Sequence, residues 1–531
     1  MNPRILIADP IAQEGLDLLA EGADIDVATG LAADELLKHI ADADALIVRS
    51  ETQVTRALIA AGTKLRVIGR AGVGVDNIDV DAATERGIVV VNAPTGNTTS
   101  AAELAIALLL ALARNVPAAD ASLRGGAWER QNFIGVELRG KTVGIIGLGQ
   151  VGSAVARRLN AMEMHVVAHD PFVPDEHARH LGVDLLSFDD LLATADFITL
   201  HTTLSPGAPP LLGREEFQRM RDGVRLVNTA RGGLIDEAAL LEALEAGKVG
   251  GAALDVFSQE PAVGNPLAEH PRVVATPHLG ASTLEAQERV AIDVAREVLS
   301  VLAGAPATTA VNAPLIDAES LDAVGPYLGV AHMIGTLVTQ LTEGQFQAVS
   351  IDYSGEIALH DVTPLKAATI AGLLDTISEE PVNLVSVNNV IAHRGWPVTE
   401  QKLPDAAPYA NLITVRLTSS SGDVLVSGTL VHGQPHIVEI DGFRVDVSRA
   451  EHEDEHGHIL ILHNEDRPGR VGAVGLTLGE IEVNISAMDV GKLEEEGEAI
   501  MVLSVNRALT PPEIDGLLAL DGIEKVLQAT I

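Results

Sequence analysis

The stretch from Gly147 to Gly152, with glycine at positions 147, 149 and 152, constrains the fold of this chain more than any other. An apolar run over residues 142–146 predicts a buried strand before it, and apolar residues at helical spacing predict a helix over residues 151–162. A second strand, predicted over residues 165–169, ends next to an aspartate. This order of strand, glycine turn, helix and strand is typical of a sheet that binds a dinucleotide at the turn.

Each of the three glycines is needed for a different physical reason. Gly147 permits the tight turn, Gly149 lets backbone N–H groups approach a pyrophosphate at the positive end of the helix, and Gly152 lets the helix pack closely on the strand. Asp170 lies 18 residues past Gly152, near the spacing of a carboxylate that accepts hydrogen bonds from an adenosine ribose. Its charge would repel a 2′-phosphate, so we expect NAD as the cofactor. The alternative is a glycine-rich turn without a ligand, which this setting disfavours.

Length and composition limit the classes of partner. At 531 residues the chain is too long for one core, and three or four domains are expected. It has no cysteine, which excludes a disulfide framework, a thiolate metal site and a cysteine nucleophile, and fits a cytoplasmic protein. A net charge of −38 argues against nucleic acid. The most apolar helix, over residues 101–113, is too short to span a bilayer, and the start of the chain lacks a signal-peptide core, so no membrane partner is expected.

The predicted elements indicate an α/β fold with two doubly wound Rossmann-like domains, followed by an α+β intervening domain and a ferredoxin-like domain of pattern βαββαβ. A long helix is predicted over residues 283–302, and its position suggests a return to the first unit, which makes the N-terminal domain discontinuous. The predicted limits are 1–97 with 283–311, then 98–282, 312–454 and 455–531.

Oxidation of a 2-hydroxy acid needs a cation for the carboxylate and a proton acceptor for the hydroxyl, on loops beyond the strands that hold the cofactor. Three such loops carry Arg231, Glu260 and His278 in order. Each residue taken singly has a structural alternative: a surface arginine, a carboxylate at a helix start and a core histidine. Their occurrence on successive strand-end loops favours the catalytic interpretation.

A histidine-rich segment precedes the last domain. His452, His456 and His458 invite comparison with a metal site, but they stand in a run of acidic residues at a composition break. A solvated linker is the favoured interpretation, and we expect no metal.

The chain resembles the D-specific 2-hydroxyacid dehydrogenase family. The resemblance extends over nearly all of the chain, and its most specific pieces are residues 72–77, 228–236, 251–257 and 276–282. It implies that Arg231 binds the carboxylate and carbonyl, that His278 exchanges the proton, and that Glu260 holds the imidazole and raises its pKa. It places Asp255 at the nicotinamide carboxamide. The cofactor contacts that it implies are Gly147, Gly149, Gln150, Val151, Gly152, Asp170, Thr202, Thr229, Ala230, Arg231, Asp255, His278 and Gly280.

The overall layout is similar to that of long family members that oxidise 3-phospho-D-glycerate to 3-phosphooxypyruvate, the first step of L-serine biosynthesis. Two positions depart from the family pattern: Gln150 stands where arginine is frequent, and Gln131 where phosphate-binding members often have a basic residue. The substrate contacts implied by the resemblance are Arg49, Arg70, Val73, Gly74, Asn97 and Arg130.

The last domain opens with a loop, residues 463–469, that resembles the ligand loop of ACT domains, which sense amino acids. The resemblance implies serine as an effector, held by Asn464, Asp466 and Asn484 between two such domains, and therefore a homo-oligomer, either a dimer or a tetramer. The alternative is a domain that assembles the oligomer without sensing a ligand.

Two other functions stay open at this stage. One is a dehydrogenase of another D-2-hydroxy acid, which would use the same catalytic residues but has no need of the roughly 220 residues after Asn312. The other is a non-catalytic NAD sensor or corepressor, which the intact set of Arg231, Glu260 and His278 argues against.

Overall fold

Four sheets follow one another along the chain, two of them wholly parallel. The computed structural model describes residues 2–204, 207–305, 307–314, 316–378, 382–448, 457–493 and 497–531. The fold class is the expected one: two doubly wound α/β domains precede an α+β domain and a βαββαβ domain. The domain limits given above stay predictions.

The first sheet has five parallel strands in the order β2-β1-β3-β4-β5. Its strands are continuously apolar because helices cover both faces. Ile5 and Ile47 face α1 and a later helix, whereas Leu6 and Leu46 face α2, α3 and α4. The elements are β1 Arg4–Ile7, α1 Gln13–Gly22, β2 Asp24–Val27, α2 Ala33–His39, β3 Ala45–Val48, α3 Arg56–Ala61, β4 Val67–Arg70, α4 Val80–Glu85 and β5 Val89–Asn92.

The second sheet has seven parallel strands in the order β12-β11-β10-β9-β6-β7-β8. The strand order reverses between β9 and β6, and parallel sheets bind ligands beyond the carboxyl ends of their strands at such a point. Its elements are α5 Thr98–Ala113, α6 Val116–Arg124, β6 Thr142–Ile146, α7 Gln150–Ala161, β7 His165–His169, α8 Asp175–His180, β8 Asp184–Leu185, α9 Phe188–Thr194, β9 Phe197–Leu200, α10 Arg214–Arg219, β10 Val224–Asn228, α11 Glu237–Glu245, β11 Val249–Leu254, α12 Pro266–Glu269 and β12 Val273–Ala275.

A long helix, α13 Leu284–Leu302, then returns to the first sheet. The Thr283 hydroxyl caps its start by accepting a hydrogen bond from the Ala286 N–H at 3.2 Å. Val294 packs on the sheet where Gly69 has no side chain, since a Cβ there would lie 2.8 Å from a Val294 methyl. After the helix, the Val311 N–H donates to the Val90 carbonyl at 2.7 Å, so the first domain is built from two separate segments.

The third sheet is mixed, in the order β14-β13-β15-β16-β17-β18. Helices α15 and α16 cross closely beside it, because Gly335 lies against the Thr369 carbonyl and Gly372 against the His332 carbonyl. The elements are α14 Ala318–Val324, α15 Leu328–Leu341, β13 Phe346–Gly355, α16 Thr363–Asp375, α17 Val387–Arg394, β14 Val398–Leu403, β15 Asn411–Ser419, β16 Gly422–Val431, β17 Gln434–Ile440 and β18 Phe443–Ser448.

One helical run in the described residues, Ala318–Leu341, is long and apolar enough to cross a membrane. It contains α15, whose Val330, Ile334 and Leu337 are fully buried in the core of the third sheet. Its apolar character is therefore accounted for by packing within the protein.

The fourth sheet is antiparallel, in the order β20-β21-β19-β22, and both of its faces are covered. Leu460 and Leu462 pack under its own helices, whereas Ile459 and Ile461 join the core of the third sheet. The elements are β19 His458–Glu465, α18 Arg470–Glu480, β20 Ile485–Lys492, β21 Glu498–Val505, α19 Pro511–Leu518 and β22 Ile523–Thr530.

A side-chain amide joins these last two domains. Gln340 of α15 donates to the Thr530 carbonyl at 2.8 Å and accepts from the Thr530 N–H at 2.9 Å. The amide thus occupies the position of a partner strand at the edge of β22, which would otherwise present unpaired backbone groups. The third and fourth sheets consequently form one packed body.

Candidate active site

His278 and Glu260 form a hydrogen-bonded pair on two neighbouring loops. Nδ1 of His278 lies 2.7 Å from Oε2 of Glu260. The other carboxylate oxygen of Glu260 accepts from the Phe257 N–H at 3.1 Å, which fixes the carboxylate relative to its own loop. With Nδ1 bound to Glu260, the ring presents Nε2 as the atom that can exchange a proton with a ligand. The pair therefore has the arrangement of a general base held by a carboxylate.

Asp255 anchors the loop that carries His278. Its side chain is fully buried and accepts from the Thr276 hydroxyl at 2.6 Å, from the Leu279 N–H at 2.7 Å and from the Gly280 N–H at 2.9 Å. His278 itself has φ of +56°, a left-handed conformation that costs free energy in most residues. The bonds to the Asp255 carboxylate hold this loop on both sides of His278. The predicted contact of Asp255 with the nicotinamide carboxamide remains a prediction.

Arg231 lies on the loop after β10. The Asn228 amide clamps this loop, donating to the Arg231 carbonyl at 2.8 Å and accepting from the Ala230 N–H at 3.0 Å. The next residue, Gly232, lies so close to the loop after β11 that a Cβ would come within 1.9 Å of the Phe257 carbonyl carbon. This close contact brings the loop of Arg231 against the loop that leads to Glu260.

Arg70 faces Arg231 from the end of β4. Its guanidinium lies against Gly72, where a Cβ would be 1.5 Å from Nη1. Burial above all, and then repulsion from Arg231 and Arg49, lower the pKa of Arg70 to about 10. Its Nε is shielded from solvent and has no hydrogen-bond partner among the described residues. A half-buried cation with an unused donor is suited to an anionic ligand.

The other predicted substrate residues lie in separate loops and at the starts of helices. The Arg49 backbone is fixed by the buried Asp9, which accepts from the Arg49 N–H at 2.6 Å. Val73 accepts a hydrogen bond at its carbonyl from the Asn92 amide at 2.6 Å. Asn97 precedes α5 at its N-cap, and Arg130 is exposed in a short 3₁₀ turn, Arg130–Phe133.

A cavity of about 820 Å³ lies between loops of the first domain and loops of the second. Its described lining includes Arg70, Arg231, Glu260 and His278, so the structure brings the proton-exchanging pair and two of the predicted cations together. This volume is in the usual range for a small-molecule site. Arg49, Asn97 and Arg130 are not among the described residues that line it.

The glycine turn before α7 has the geometry that a pyrophosphate requires. Gly147 has φ of +92°, and a Cβ on Gly152 would lie 2.0 Å from the Gly147 carbonyl oxygen. Gly149 is different: its backbone needs no glycine, and a Cβ there would meet no atom of the described residues within 4 Å. The open space above Gly149, at the start of α7, fits the phosphates of a dinucleotide.

Asp170 holds the same turn from the end of β7. One carboxylate oxygen accepts from the Leu148 N–H at 2.8 Å and the other from the Phe172 N–H at 2.9 Å, which leaves lone pairs on both for a ribose. The Thr229 hydroxyl, on the loop of Arg231, is buried without a partner in the described part of the chain. Gln150 is exposed at the first turn of α7, and Thr202 is half-buried after β9. These residues fit NAD.

The three predicted regulatory residues do not meet within one chain. Asn464 pairs with Ala499 in the sheet, whereas Asn484 precedes Ile485, which pairs with Val505. Six residues of β21 separate these positions, roughly 20 Å at strand spacing. Asn464 is buried with its side-chain oxygen unpaired among the described residues, while Asp466 pairs with Lys492 at 2.8 Å. A ligand that touches both asparagines therefore needs two copies of the domain.

The histidine-rich segment gives no metal site in the part of the chain that is described. His458 lies in β19, and His452 and His456 lie outside the described residues. Among the residues that the structure describes, no group of three or more His, Asp or Glu side chains could hold a metal ion.

Three functional residues had no role assigned from the sequence: Asp9, Asp76 and Asn228. Asp76 and Asn228 lie in the glycine-containing segments on which the family resemblance rests, so their positions were visible but their contacts were not. Asp9 directly follows a buried strand, and a carboxylate in that position can accept hydrogen bonds from backbone N–H groups of a neighbouring loop, as Asp9 does here.

Comparisons with known proteins identify the family of this chain. Residues 106–280 match the family model for the NAD binding domain of D-isomer specific 2-hydroxyacid dehydrogenases, and residues 323–441 match the D-3-phosphoglycerate dehydrogenase intervening domain. Among solved structures, the chain is similar to the TT0316 protein of Thermus thermophilus, with 39% identity and a TM-score of 0.54 over 58% of this chain and 99% of that one. D-lactate dehydrogenase of Aquifex aeolicus, complexed with NAD and lactic acid, gives 26% identity and 0.52 over 57% and 96%.

Full-length relatives have the same extent as this chain. The D-3-phosphoglycerate dehydrogenase of Methanocaldococcus jannaschii is 43% identical over 98% of this chain and 99% of the relative. Those of Bacillus subtilis and Mycobacterium tuberculosis are each 42% identical over 95% of both chains. The chain therefore belongs to the D-3-phosphoglycerate dehydrogenase family and is an NAD-dependent D-isomer specific 2-hydroxyacid dehydrogenase.

Proposed function

We propose that this enzyme oxidises 3-phospho-D-glycerate to 3-phosphooxypyruvate with NAD, as the first step of L-serine biosynthesis. The observation that carries the proposal is one cavity lined by a histidine–glutamate pair and by two arginines, one of them a half-buried cation whose Nε has no partner among the described residues. Such a cavity suits a small acid with two anionic ends. The test is NADH formation from a panel of D-2-hydroxy acids, in which phosphoglycerate should have the highest kcat/KM.

In the proposed mechanism, Arg231 binds the substrate carboxylate and turns the C2 hydroxyl toward His278. Nε2 of His278 then removes the hydroxyl proton, and Glu260 stabilises the imidazolium that forms. NAD, when bound, supplies the two-electron acceptor for the hydrogen on C2. In the reverse direction His278 returns the proton to the carbonyl oxygen.

The phosphate would be bound on the side of the cavity formed by the first domain. Arg70 lines this side of the cavity, and Arg49 precedes Ser50, which also lines it. The backbone of Arg49 is fixed by Asp9 and by the Asn77 amide, which donates to the Arg49 carbonyl at 2.8 Å. Guanidinium groups suit a phosphate dianion because they form charge-assisted, paired hydrogen bonds.

We expect Arg49→Ala to raise KM for phosphoglycerate by roughly 10–100-fold, because a hydrogen bond to a charged group contributes about 1.5–3 kcal/mol. KM for D-lactate should change much less, since D-lactate has no phosphate. Steady-state kinetics on both substrates measure the difference, with Arg56→Ala, an exposed arginine paired with Glu85, as the matched control. An equal loss on both substrates would assign Arg49 to the fold of its loop.

We further propose that serine inhibits the enzyme by binding between two ACT domains of a homo-oligomer, a dimer or a tetramer, in the cytoplasm. The buried Asn464 with its unpaired side-chain oxygen supports a polar ligand at that end of β19. Asn484, at the opposite end of the sheet, would come from the second copy. Such a ligand would bias the catalytic domains only if it binds the two states of the oligomer with different affinity.

Asn484→Ala should weaken serine inhibition about tenfold or more and leave KM for phosphoglycerate unchanged, because it removes a ligand contact distant from the cavity. Inhibition curves with and without serine measure the effect. Ser486→Ala, at an exposed side chain on the strand that follows Asn484, is the control. Absence of serine binding to the wild type, measured by calorimetry, would leave the domain with an assembly role only.

A further inference from the structure

Asp76 is the carboxylate that contacts the substrate arginine. Its Oδ2 lies 3.1 Å from Nε of Arg231. Asp76 belongs to the loop between β4 and α4 in the first domain, whereas Arg231 follows β10 in the second, and both line the cavity. The pair therefore connects the two walls between which the substrate would lie.

Two contacts fix the orientation of the Arg231 guanidinium. Nε pairs with Asp76, and Nη1 donates to the Ala230 carbonyl at 2.8 Å. Nη2 lies against the backbone of Gly74, where a Cβ would be only 2.1 Å away. Because a guanidinium is planar and has five N–H donors, these contacts leave the Nη2 edge and one Nη1 hydrogen for an anion.

Asp76 also offsets repulsion between the arginines. Arg231 and Arg49 disfavour the charged form of Arg70, while Asp76 and Asp9 favour it. Without a carboxylate at position 76, Arg231 would lose its partner across the cavity while the repulsion from Arg70 remained. The guanidinium would then turn away from the orientation that it has here.

We propose that Asp76 is a positioning residue, which holds Arg231 through Nε so that its free edge faces the carboxylate of the 2-hydroxy acid. The inference rests on the proposed role of Arg231 in binding that carboxylate. Asp76 contributes little to the packing of the fold, since its side chain is 73% exposed. Its replacement by asparagine should therefore leave the fold and NAD binding intact.

Asp76→Asn is expected to lower kcat by roughly 10–100-fold, since small misplacements of a substrate-orienting group cost about that much. The loss should be the same with phosphoglycerate and with D-lactate, because both have the carboxylate that Arg231 binds. The pH dependence of kcat should not move, since His278 and Glu260 are untouched. Asp76→Glu should recover part of the activity. Asp42→Asn is the control, since Asp42 is an exposed carboxylate that pairs with Lys64 and is not among the described residues that line the cavity; its activity should stay within about twofold of wild type.

Binding of oxamate to the enzyme with NADH, followed by calorimetry, tests the same idea without turnover. We expect its Kd to rise about tenfold or more in Asp76→Asn, which corresponds to the loss of one oriented charge-assisted contact. An unchanged Kd, a faster enzyme, or a loss confined to the phosphorylated substrate would each overturn the positioning role. Failure of the wild type to oxidise any D-2-hydroxy acid would instead refute the proposed function, and the oxamate measurement would still decide the role of Asp76.

Discussion

We expect the His278→Asn variant to bind NAD as tightly as the wild type and to turn over about 10²–10⁴-fold more slowly, the usual contribution of a general base. Asparagine is a better replacement than alanine for this test, because His278 has φ of +56° and asparagine tolerates left-handed conformations better than most residues. The loss can then be attributed to the missing imidazole and not to a rearranged loop.

Stopped-flow measurement of NADH formation gives the rate of the chemical step, and quenching of protein fluorescence by NADH gives the affinity. His180→Asn, at an exposed histidine on α8, serves as the control. A His278 variant with a rate within tenfold of the wild type would show that another group accepts the proton.

Alanine at Gly149 and alanine at Gly152 should both abolish most NAD binding, for different reasons. At Gly152 the new methyl group would lie 2.0 Å from the Gly147 carbonyl oxygen, so the turn or α7 must move. Overpacking of this kind costs about 1–3 kcal/mol, which lowers both stability and affinity. At Gly149 the methyl group meets no described atom within 4 Å, so the ligand-free fold should accept it.

The two variants therefore separate folding from binding. Gly149→Ala should keep the wild-type Tm and lose roughly 10–100-fold in NAD affinity, because its methyl group fills the space of the phosphates. Gly152→Ala should lose both Tm and affinity. Thermal melts and NADH fluorescence titrations of the two proteins measure this difference. Normal NAD affinity in Gly149→Ala would show that the phosphates do not pass over this turn.

Buried elements of the fold were predictable from the sequence, because apolar runs and helical spacing report burial directly. Two polar edge strands were not predicted. Strand β2, Asp24–Val27, contains two aspartates, and β14, Val398–Leu403, is polar along most of its length and exposed. Both form because a neighbouring strand offers backbone hydrogen bonds, which leave no signal in the side chains.

The same limit applies to the site. The identity of His278, Glu260 and Arg231 as candidates followed from their positions after strands, and the structure places all three at one cavity. The contacts of Asp255 and Asp76 did not follow, because they depend on how loops from separate strands approach one another. For the regulatory loop, sequence order placed Asn464 and Asn484 only 20 residues apart, whereas the antiparallel sheet separates them by its length.

The common core of the third and fourth sheets has a consequence for how such chains can be recombined. Ile459 and Ile461 of the fourth sheet contribute to the core around α15, and the Gln340 amide completes the edge at Thr530. If the last domain were exchanged alone between relatives, its apolar face would not match the core of the third sheet, and apolar residues of that core would be exposed to solvent. These two domains should therefore be inherited, transplanted and redesigned as a single module, with the crossover placed ahead of α14.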